Sequence, residues 1–595
     1  LKLESAAFYL YGMKLFSTFW ILFGMFYQNI NAQHYDNTWY LGYPGNGEIY
    51  GPSKVSFDDG SFSIEKDTTF FGGIYDSNNT VISDIGGKYL ATFNGFWIND
   101  ASGKKMLNGD SIWHETLPYL YGYSDDDIPQ GGMFLPWPDH SDSILLFYTS
   151  QGNAAWPVSV DLASLNLFYA LIQSSGNSGK GVVLERRNSV LDDTIQYGRL
   201  SAVQHANGRD WWILINERNS NRFYRLLLDP NGIHKLDSQI VSFPIIDGLG
   251  QAVFSPNGKY YAVKNSISSS IGNSIDVFYF DRCSGYLSKQ YKIFYDGSGL
   301  GGVAFSPNSR FLYVSFGTEI YQYDLYTDNL DSTKVLVGIY EPPTSGFSAT
   351  FYTMQLAPDN KIYICATNAI RYLHVIHTPN EYGVDCQFQQ RGVLLPTNNY
   401  TSVSYSPYYR LGPLDNTPCD SIGLDNLPIA WYRYEQDTLD LLNVSFFDLS
   451  YYEPATWSWD FGDGLPVTNE RSPAHQYSSP GIYKVCLTVS NTNASNTHCK
   501  TLYLGVSATE NPILQEQIVI SPNPFSNHLD LALNLNLHKP TFRLFDQAGR
   551  VILEKHPVFG ITEMETDTLP PGIYFWELRT QAEFLKSGKL IKLKN

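Results

Sequence analysis

An all-β protein of several domains is what this sequence predicts, on three observations. Aromatic residues make up 15% of the 595 residues, 43 of them tyrosine, alongside 48 glycines and 31 prolines. Residues that favour pleated strands are thus mixed with residues that favour turns. No run of ten or more residues carries a clear apolar stripe at helical spacing, whereas short alternating runs cut by Pro-Asn, Asn-Gly and Pro-Gly turns recur throughout. A chain of this length has room for several domains and a sizeable core.

Charge and cysteine usage narrow the function classes. A net charge of −18 argues against nucleic acid, because phosphate binding needs a basic footprint. The cysteines Cys283, Cys365, Cys386, Cys419, Cys486 and Cys499 include no Cys-x-x-Cys pair, so neither a zinc nor a redox site is expected. Cys486 and Cys499 fall on what read as consecutive strands of one small domain and are the candidate disulfide. The pairing of the other four stays open. No cofactor or metal is expected.

Residues 15–27 form a 13-residue, mainly apolar run after Met13-Lys14, with Ala32 placed as a cleavage-site residue. That is the length of a signal-peptide core and too short for a comfortable membrane span. Residues 1–32 are therefore assigned to upstream sequence and signal peptide. No second apolar stretch of about 18 residues occurs, so the mature chain is expected to have no transmembrane span.

Between Gln33 and about Gly412 the chain repeats. Residues 253–263, 304–314 and 355–365 read VFSPNGKYYAV, AFSPNSRFLYV and QLAPDNKIYIC, and Ser255, Ser306 and Ala357 are each 51 residues apart. His205–Trp212 and Tyr405–Pro407 hold the same frame, with weaker echoes at Asp84–Tyr89 and Asp139–Ile144. Each unit is strand, Pro-Asn turn, strand and further strands, and about fifty residues of this kind make one β-propeller blade. Seven echoes predict a seven-bladed propeller over 33–412, with six to eight blades as the bounds. The blade pattern resembles the propellers related to the WD40 and YVTN families, although the Trp-Asp dipeptide at blade ends is missing.

Residues 413–427 read as a linker, and a second motif set follows. Trp457-Ser-Trp459-Asp460-Phe461-Gly462-Asp463-Gly464 precedes Tyr477 and Pro480-Gly481, and then the alternating Tyr483, Val485, Leu487 and Val489. Alternation turns one apolar face inward. The block resembles the PKD domain, an immunoglobulin-like sandwich, across 428–505. Trp459 and Phe461 are expected in its core and Gly462-Asp463-Gly464 in a tight turn. Asp460 and Asp463 are read as turn-forming carboxylates rather than calcium ligands.

After a linker at 506–516, residues 517–595 read as a small antiparallel sandwich. They carry Pro522-Asn523-Pro524, an Ala-Gly turn at Gly549, and Pro571-Gly572-Ile-Tyr574. In this order the motifs resemble the C-terminal sorting domain of the Bacteroidetes type IX secretion system. The resemblance implies Sec export to the periplasm, recognition by the type IX machinery, and release or attachment at the cell surface, with or without removal of the tail.

No catalytic motif emerges. Gly297–Gly302 satisfies Gly-x-Gly-x-x-Gly, but a strand and a Pro-Asn turn follow where a dinucleotide site needs a helix. His374 and His377 sit at an odd offset that sends strand side chains to opposite faces. Ser56–Gly60 resembles part of a sialidase Asp-box and occurs once. Gly-x-Ser-x-Gly and His-Glu-x-x-His are absent. Aromatics crowd the early blades: Trp97, Trp113, Tyr119, Tyr121 and Trp137 suit sugar rings or protein hot spots, and equally suit packing between blades. The reading is a secreted or surface protein for binding or adhesion, whose propeller presents a protein- or glycan-binding face. The alternative is an extracellular polysaccharide-active propeller hydrolase or lyase with its site in the central channel.

Overall fold

The computed structural model describes residues 33–595 apart from 44–48, 69–77, 113–127, 152–163, 246–249, 266–272, 296–299, 328, 344–347, 438–439, 466–468, 505–517, 534–539, 547–549, 558–559, 581–583 and 594–595. The expected signal peptide lies outside the described residues. The chain divides into two compact units. The first runs to Arg433 and takes in Leu449–Thr456 and Val489–Asn496; the second holds Tyr434–Asp448, Trp457–Thr488 and Thr497–Asn595.

Seven antiparallel sheets follow one another among the described residues of the first unit. The first two are β1 (Thr38–Tyr43), β2 (Gly51–Ser56), β3 (Ser63–Lys66) and β4 (Thr80–Ser83), β5 (Tyr89–Phe93), β6 (Ile98–Asp100). The third is β7 (Gly132–Pro136), β8 (Ser143–Gln151), β9 (Ser164–Gln173), β10 (Val182–Ile195), and the fourth is β11 (Ser201–Gln204), β12 (Trp211–Asn216), β13 (Arg222–Asp229), β14 (Gly232–Ile240). The fifth is β15 (Gly250–Phe254), β16 (Tyr260–Asn265), β17 (Asn273–Asp281), β18 (Tyr286–Tyr295). The sixth is β19 (Val303–Phe305), β20 (Phe311–Ser315), β21 (Glu319–Asp324), β22 (Val335–Ile339), and the seventh is β23 (Phe351–Leu356), β24 (Ile362–Ala366), β25 (Ile370–Ile376), β26 (Phe388–Asn399).

Each sheet keeps its strands in sequence order. The first strands neighbour one another from sheet to sheet, as in β1 with β4, β4 with β7, β11 with β15, β15 with β19 and β19 with β23. β26 then lies against β1 and β2 and closes the ring. Ser53 and Thr397 share a hydroxyl bond of 2.6 Å across that closure, and Gly42 N–H donates to Asn399 Oδ1 at 3.3 Å. This is a seven-bladed propeller.

The repeated turn explains the repeated sequence. Ser255 Oγ accepts the N–H of Tyr260 at 3.0 Å and donates to Asn257 Oδ1 at 2.7 Å, while Asn257 Oδ1 also accepts Lys259 N–H at 3.0 Å. Ser306 and Asn308 repeat the set with Phe311 and Arg310 at 2.9 and 3.0 Å. The residue after the Asn or Asp is left-handed in each copy: Gly208 (φ 76°), Gly258 (φ 69°), Ser309 (φ 60°) and Asn360 (φ 62°). A side-chain carbonyl that bonds the backbone two residues on, followed by a left-handed residue, makes the reversal local. Between blades the apolar faces interlock; Met133, Leu145, Leu200, Trp211 and Leu226 form one such buried cluster.

The PKD-like part has two three-stranded sheets. One contains β27 (Tyr432–Gln436), β28 (Asn443–Asp448) and β30 (Ala474–Gln476); the other contains β29 (Thr456–Asp460), β31 (Gly481–Ser490) and β32 (Ser495–Leu504). Phe446, Trp459, Phe461, Val485, Leu487 and Val489 are all buried between them. Trp459 Nε1 donates to Glu470 O at 3.0 Å, and Tyr477 OH to Phe461 O at 3.1 Å. Gly462 (φ 76°) turns the chain where a Cβ would stand 2.6 Å from Lys484 O. Cys486 and Cys499, on neighbouring strands, form a disulfide with Cα atoms 4.1 Å apart.

The last part pairs a sheet of β33 (Ile518–Ser521), β34 (His528–Leu533) and β37 (Gly560–Glu565) with a sheet in the order β36 (Val551–Lys555), β35 (Thr541–Phe545), β38 (Gly572–Arg579), β39 (Phe584–Lys592). Leu529, Leu531, Phe542, Leu544, Tyr574 and Trp576 fill its core.

Candidate functional site

The propeller's axis is the natural place for a site, since every first strand points one edge toward it. The first strands of the third to seventh blades, β7, β11, β15, β19 and β23, line a space with an empty volume of about 700 Å³, open solvent included. Two glutamines tie the blades together around it, and Gln130 lines it. Gln130 Nε2 donates to Ala252 O at 3.0 Å and Ala252 N–H donates back to Gln130 Oε1 at 2.8 Å, joining the third blade to the fifth. Gln251 Oε1 accepts Val303 N–H at 3.0 Å and Met354 N–H at 3.2 Å, while its Nε2 donates to Met354 O. The fifth, sixth and seventh blades are thus tied through one side chain.

The chain leaving the seventh blade then crosses this space. Tyr405 N–H donates to Asn79 O, and Thr80 Oγ1 donates to Tyr405 O, both at 2.9 Å. Tyr405 OH reaches Thr353 Oγ1 at 2.9 Å, and Gln355 Nε2 donates to Ser406 O at 3.3 Å. Tyr409 OH donates to Phe134 O at 2.8 Å. Tyr405, Ser406, Pro407 and Tyr408 all line the space themselves. Asp36 is the one carboxylate among the described lining residues, which include no histidine. Its two oxygens accept Arg410 Nη1 at 2.8 Å and Nη2 at 2.5 Å, with both side chains buried.

Other groups with chemical potential are engaged in structure. His374 is fully buried; burial, with the Arg391 charge second, pushes its pKa down to about 4, and Nδ1 accepts Arg391 N–H at 3.0 Å. Burial pushes the Cys365 and Cys386 thiols up to about 12 and about 11, which keeps both protonated and unreactive. Burial alone takes the Lys264 ammonium down to about 7. Gly301 and Gly302 of the glycine-rich stretch lead directly into β19 and not into a helix. Asp58–Gly60 forms a single 3-10 turn.

Of the aromatics singled out, Trp97 is half-buried, with the Lys105 ammonium 4.4 Å from its ring centre. Trp137 is half-buried too and donates from Nε1 to Asp229 O of the fourth blade at 3.0 Å. Trp113, Tyr119 and Tyr121 lie outside the described residues, as do Asp125–Asp127. The two described tryptophans thus make one contact within a blade and one between blades.

In the PKD-like part Asp460 Oδ1 accepts Gly462 N–H at 3.0 Å and Asp463 Oδ1 accepts Leu465 N–H at 3.1 Å. Asp463 Oδ2 also meets His475 Nε2 at 2.7 Å, and the His475 ring stacks on Phe461 with centres 3.9 Å apart. Both carboxylates are occupied in turn geometry. In the last part Asn523 uses its amide as a strand mimic. Its Nδ2 donates to Lys589 O and its Oδ1 accepts Ile591 N–H, both at 3.0 Å. Tyr574 OH donates to Pro570 O at 2.6 Å, closing the Pro-Pro-Gly turn. Gly549 lies outside the described residues.

Two features escaped sequence reading. Cys283 and Cys419 form a disulfide with Cα atoms 5.5 Å apart, joining a turn of the fifth blade to the stretch read as a linker. Asp415, Asp420 and Asp425 bring carboxylate oxygens within 4.8 Å of one another in the same stretch. Asp425 is exposed and the other two are half-buried. Only their five-residue spacing could have flagged them.

Two segments of the chain match known families. Residues 435–506 match the PKD domain family, and residues 519–593 match the secretion system C-terminal sorting domain. No curated protein matches the sequence. Among solved structures, the PKD1 domain of Vibrio anguillarum Epp is 31% identical over 14% of this chain and 99% of its own, with a TM-score of 0.13. PorZ of Porphyromonas gingivalis, an essential surface component of its type IX secretion system, is 11% identical over 94% of this chain and 64% of its own, with a TM-score of 0.33. A putative 6-phosphogluconolactonase from Bacteroides fragilis is 13% identical over 61% of this chain and 96% of its own, with a TM-score of 0.36. The chain thus carries a PKD domain and a secretion system C-terminal sorting domain, and the sorting domain marks it for type IX export to the cell surface or the extracellular space.

Proposed function

We propose that the exported chain binds and displays: a rigid propeller over 33–412 holds a protein or glycan ligand on its loops, a PKD domain over 428–505 spaces it, and the tail over 517–595 secures delivery after Sec export. One observation supports binding over catalysis. The axial space where a propeller hydrolase or lyase would work is bridged by Gln130, crossed by Tyr405–Tyr408, and has among its described lining residues a single carboxylate, already paired with Arg410. Glycoside cleavage requires two carboxyl groups facing each other across a cleft. Loops and half-buried aromatics such as Trp97 remain for contact.

The test is a glycan array and a pull-down from extracellular material, both with the full exported chain, followed by incubation with the ligands found. Saturable binding without release of new reducing ends is expected. Turnover of any polysaccharide by the full chain would replace this reading with the enzymatic one.

A further inference from the structure

The outward face of the sorting domain's four-stranded sheet is divided in two. Inward residues Phe542, Leu544, Tyr574, Trp576, Leu578 and Leu590 already complete the core. On the opposite face Glu554, Arg543, Glu577 and Arg579 run across β36, β35 and β38 as a chain of ion pairs at 2.7, 3.7 and 3.4 Å. Beside them the same strands carry an apolar ladder. Phe545 stands opposite both Val551 and Phe575, and Ile573 opposite Ile591. Val551 is 49% exposed, Phe575 47% and Ile591 39%, and Leu593, just past β39, is 52% exposed.

This apolar half lies at one particular end of the sandwich. β35 ends and β36 begins there around the Asp546–Arg550 turn; β38 begins there after Pro571, and β39 ends there, with Gly572 opposite Lys592. Asn523 clips the Pro-Asn-Pro segment to Lys589 and Ile591 at the same end, and Phe525 N–H and O bond Ile591 O and Leu593 N–H at 2.9 and 2.8 Å. The elements that define the sorting motif therefore converge beside side chains that the core does not use. A contiguous exposed apolar patch signals a contact surface. One cation, the exposed Lys589, stands opposite Phe575 beside it; a single lysine is short of the basic cluster that an anionic lipid headgroup takes, so the complement is an apolar protein surface.

We propose that Val551, Phe545, Phe575, Ile573 and Ile591 form the face by which a component of the export machinery grips this chain. The proposal rests on the sorting-domain match and is independent of the ligand-binding reading of the propeller. It is tested on the full chain in a host that exports by the type IX route, comparing Phe575→Ser/Val551→Ser with Arg543→Ser/Glu554→Ser from the ionic half. The apolar pair is expected to lower surface and medium protein about tenfold, as truncating a contact hot spot does, while the ionic pair stays near wild type. Phe575→Gln alone repeats the measurement if amide protection in β38 is lost in the double variant. Export of the apolar variants at the wild-type level overturns the proposal, as does an equal fall in the ionic pair. So does a concentration-dependent dimer of the purified chain that the apolar substitutions abolish, because the occupant would then be a second copy.

Discussion

Arg410 and Asp36 meet as a buried two-pronged ion pair, 374 positions apart in sequence. Asp36 comes from the turn leading into the first blade and Arg410 from the segment that leaves the seventh, so the pair fastens the ring where its two ends arrive. Taking away one partner strands a charge in a dry site, at a cost of about 3–5 kcal/mol. Asp36→Ala and Arg410→Ala are each expected to destabilise the propeller by that amount in denaturant titration. The double variant is expected to cost less than the sum.

Gln251 is the second fastening. Replacing it with leucine leaves Val303 N–H and Met354 N–H and O without their partner, and each buried orphan costs about 1–3 kcal/mol. Gln251→Leu is expected to lower stability by more than Gln355→Leu, whose amide holds only weaker bonds at 3.2 and 3.3 Å. Hydrogen exchange at Val303 and Met354 checks it: both amides are expected to exchange faster.

How much of this was legible in the sequence follows from the range of the interactions. The blades announced themselves because Ser255, Asn257 and their copies bond within five residues, so a local turn is written as a local string. The PKD core was readable from Trp459 and Phe461 for the same reason. The fastenings were not. Gln130, Gln251 and Asp36 look like ordinary polar residues between apolar neighbours, and their partners lie 122, 103 and 374 positions away. Trp137 carried the right chemistry for a ligand, but nothing local revealed that its N–H is already given to Asp229.

Acid is expected to loosen the PKD turn. Burial by itself would raise the Asp463 carboxyl, but the His475 ring and the Leu465 N–H outweigh it and hold its pKa below the ordinary value. A depressed carboxyl stabilises the fold above its unfolded value, about 3.9, and that contribution disappears as pH falls through the folded value. Hydrogen exchange of β31 amides is therefore expected to quicken below about pH 4 in the wild type. In Asp463→Asn the change over that window is expected to be smaller.

The Cys283–Cys419 bond closes a loop with a sequence separation of 136. Constraining so long a loop in the unfolded chain stabilises by about 2–5 kcal/mol. Cys419→Ser is expected to lower the denaturation midpoint accordingly, and under reducing conditions the wild type and the variant are expected to share one midpoint.

The Arg410–Asp36 fastening also sets a schedule. A chain made from its amino end first cannot make this fastening until the 410th residue has arrived. All seven blades can be in place, with β26 against β1, while that fastening is still missing. Such a wheel is closed but unpinned, and the last few residues of the unit decide when it becomes a rigid cargo for the tail to convey.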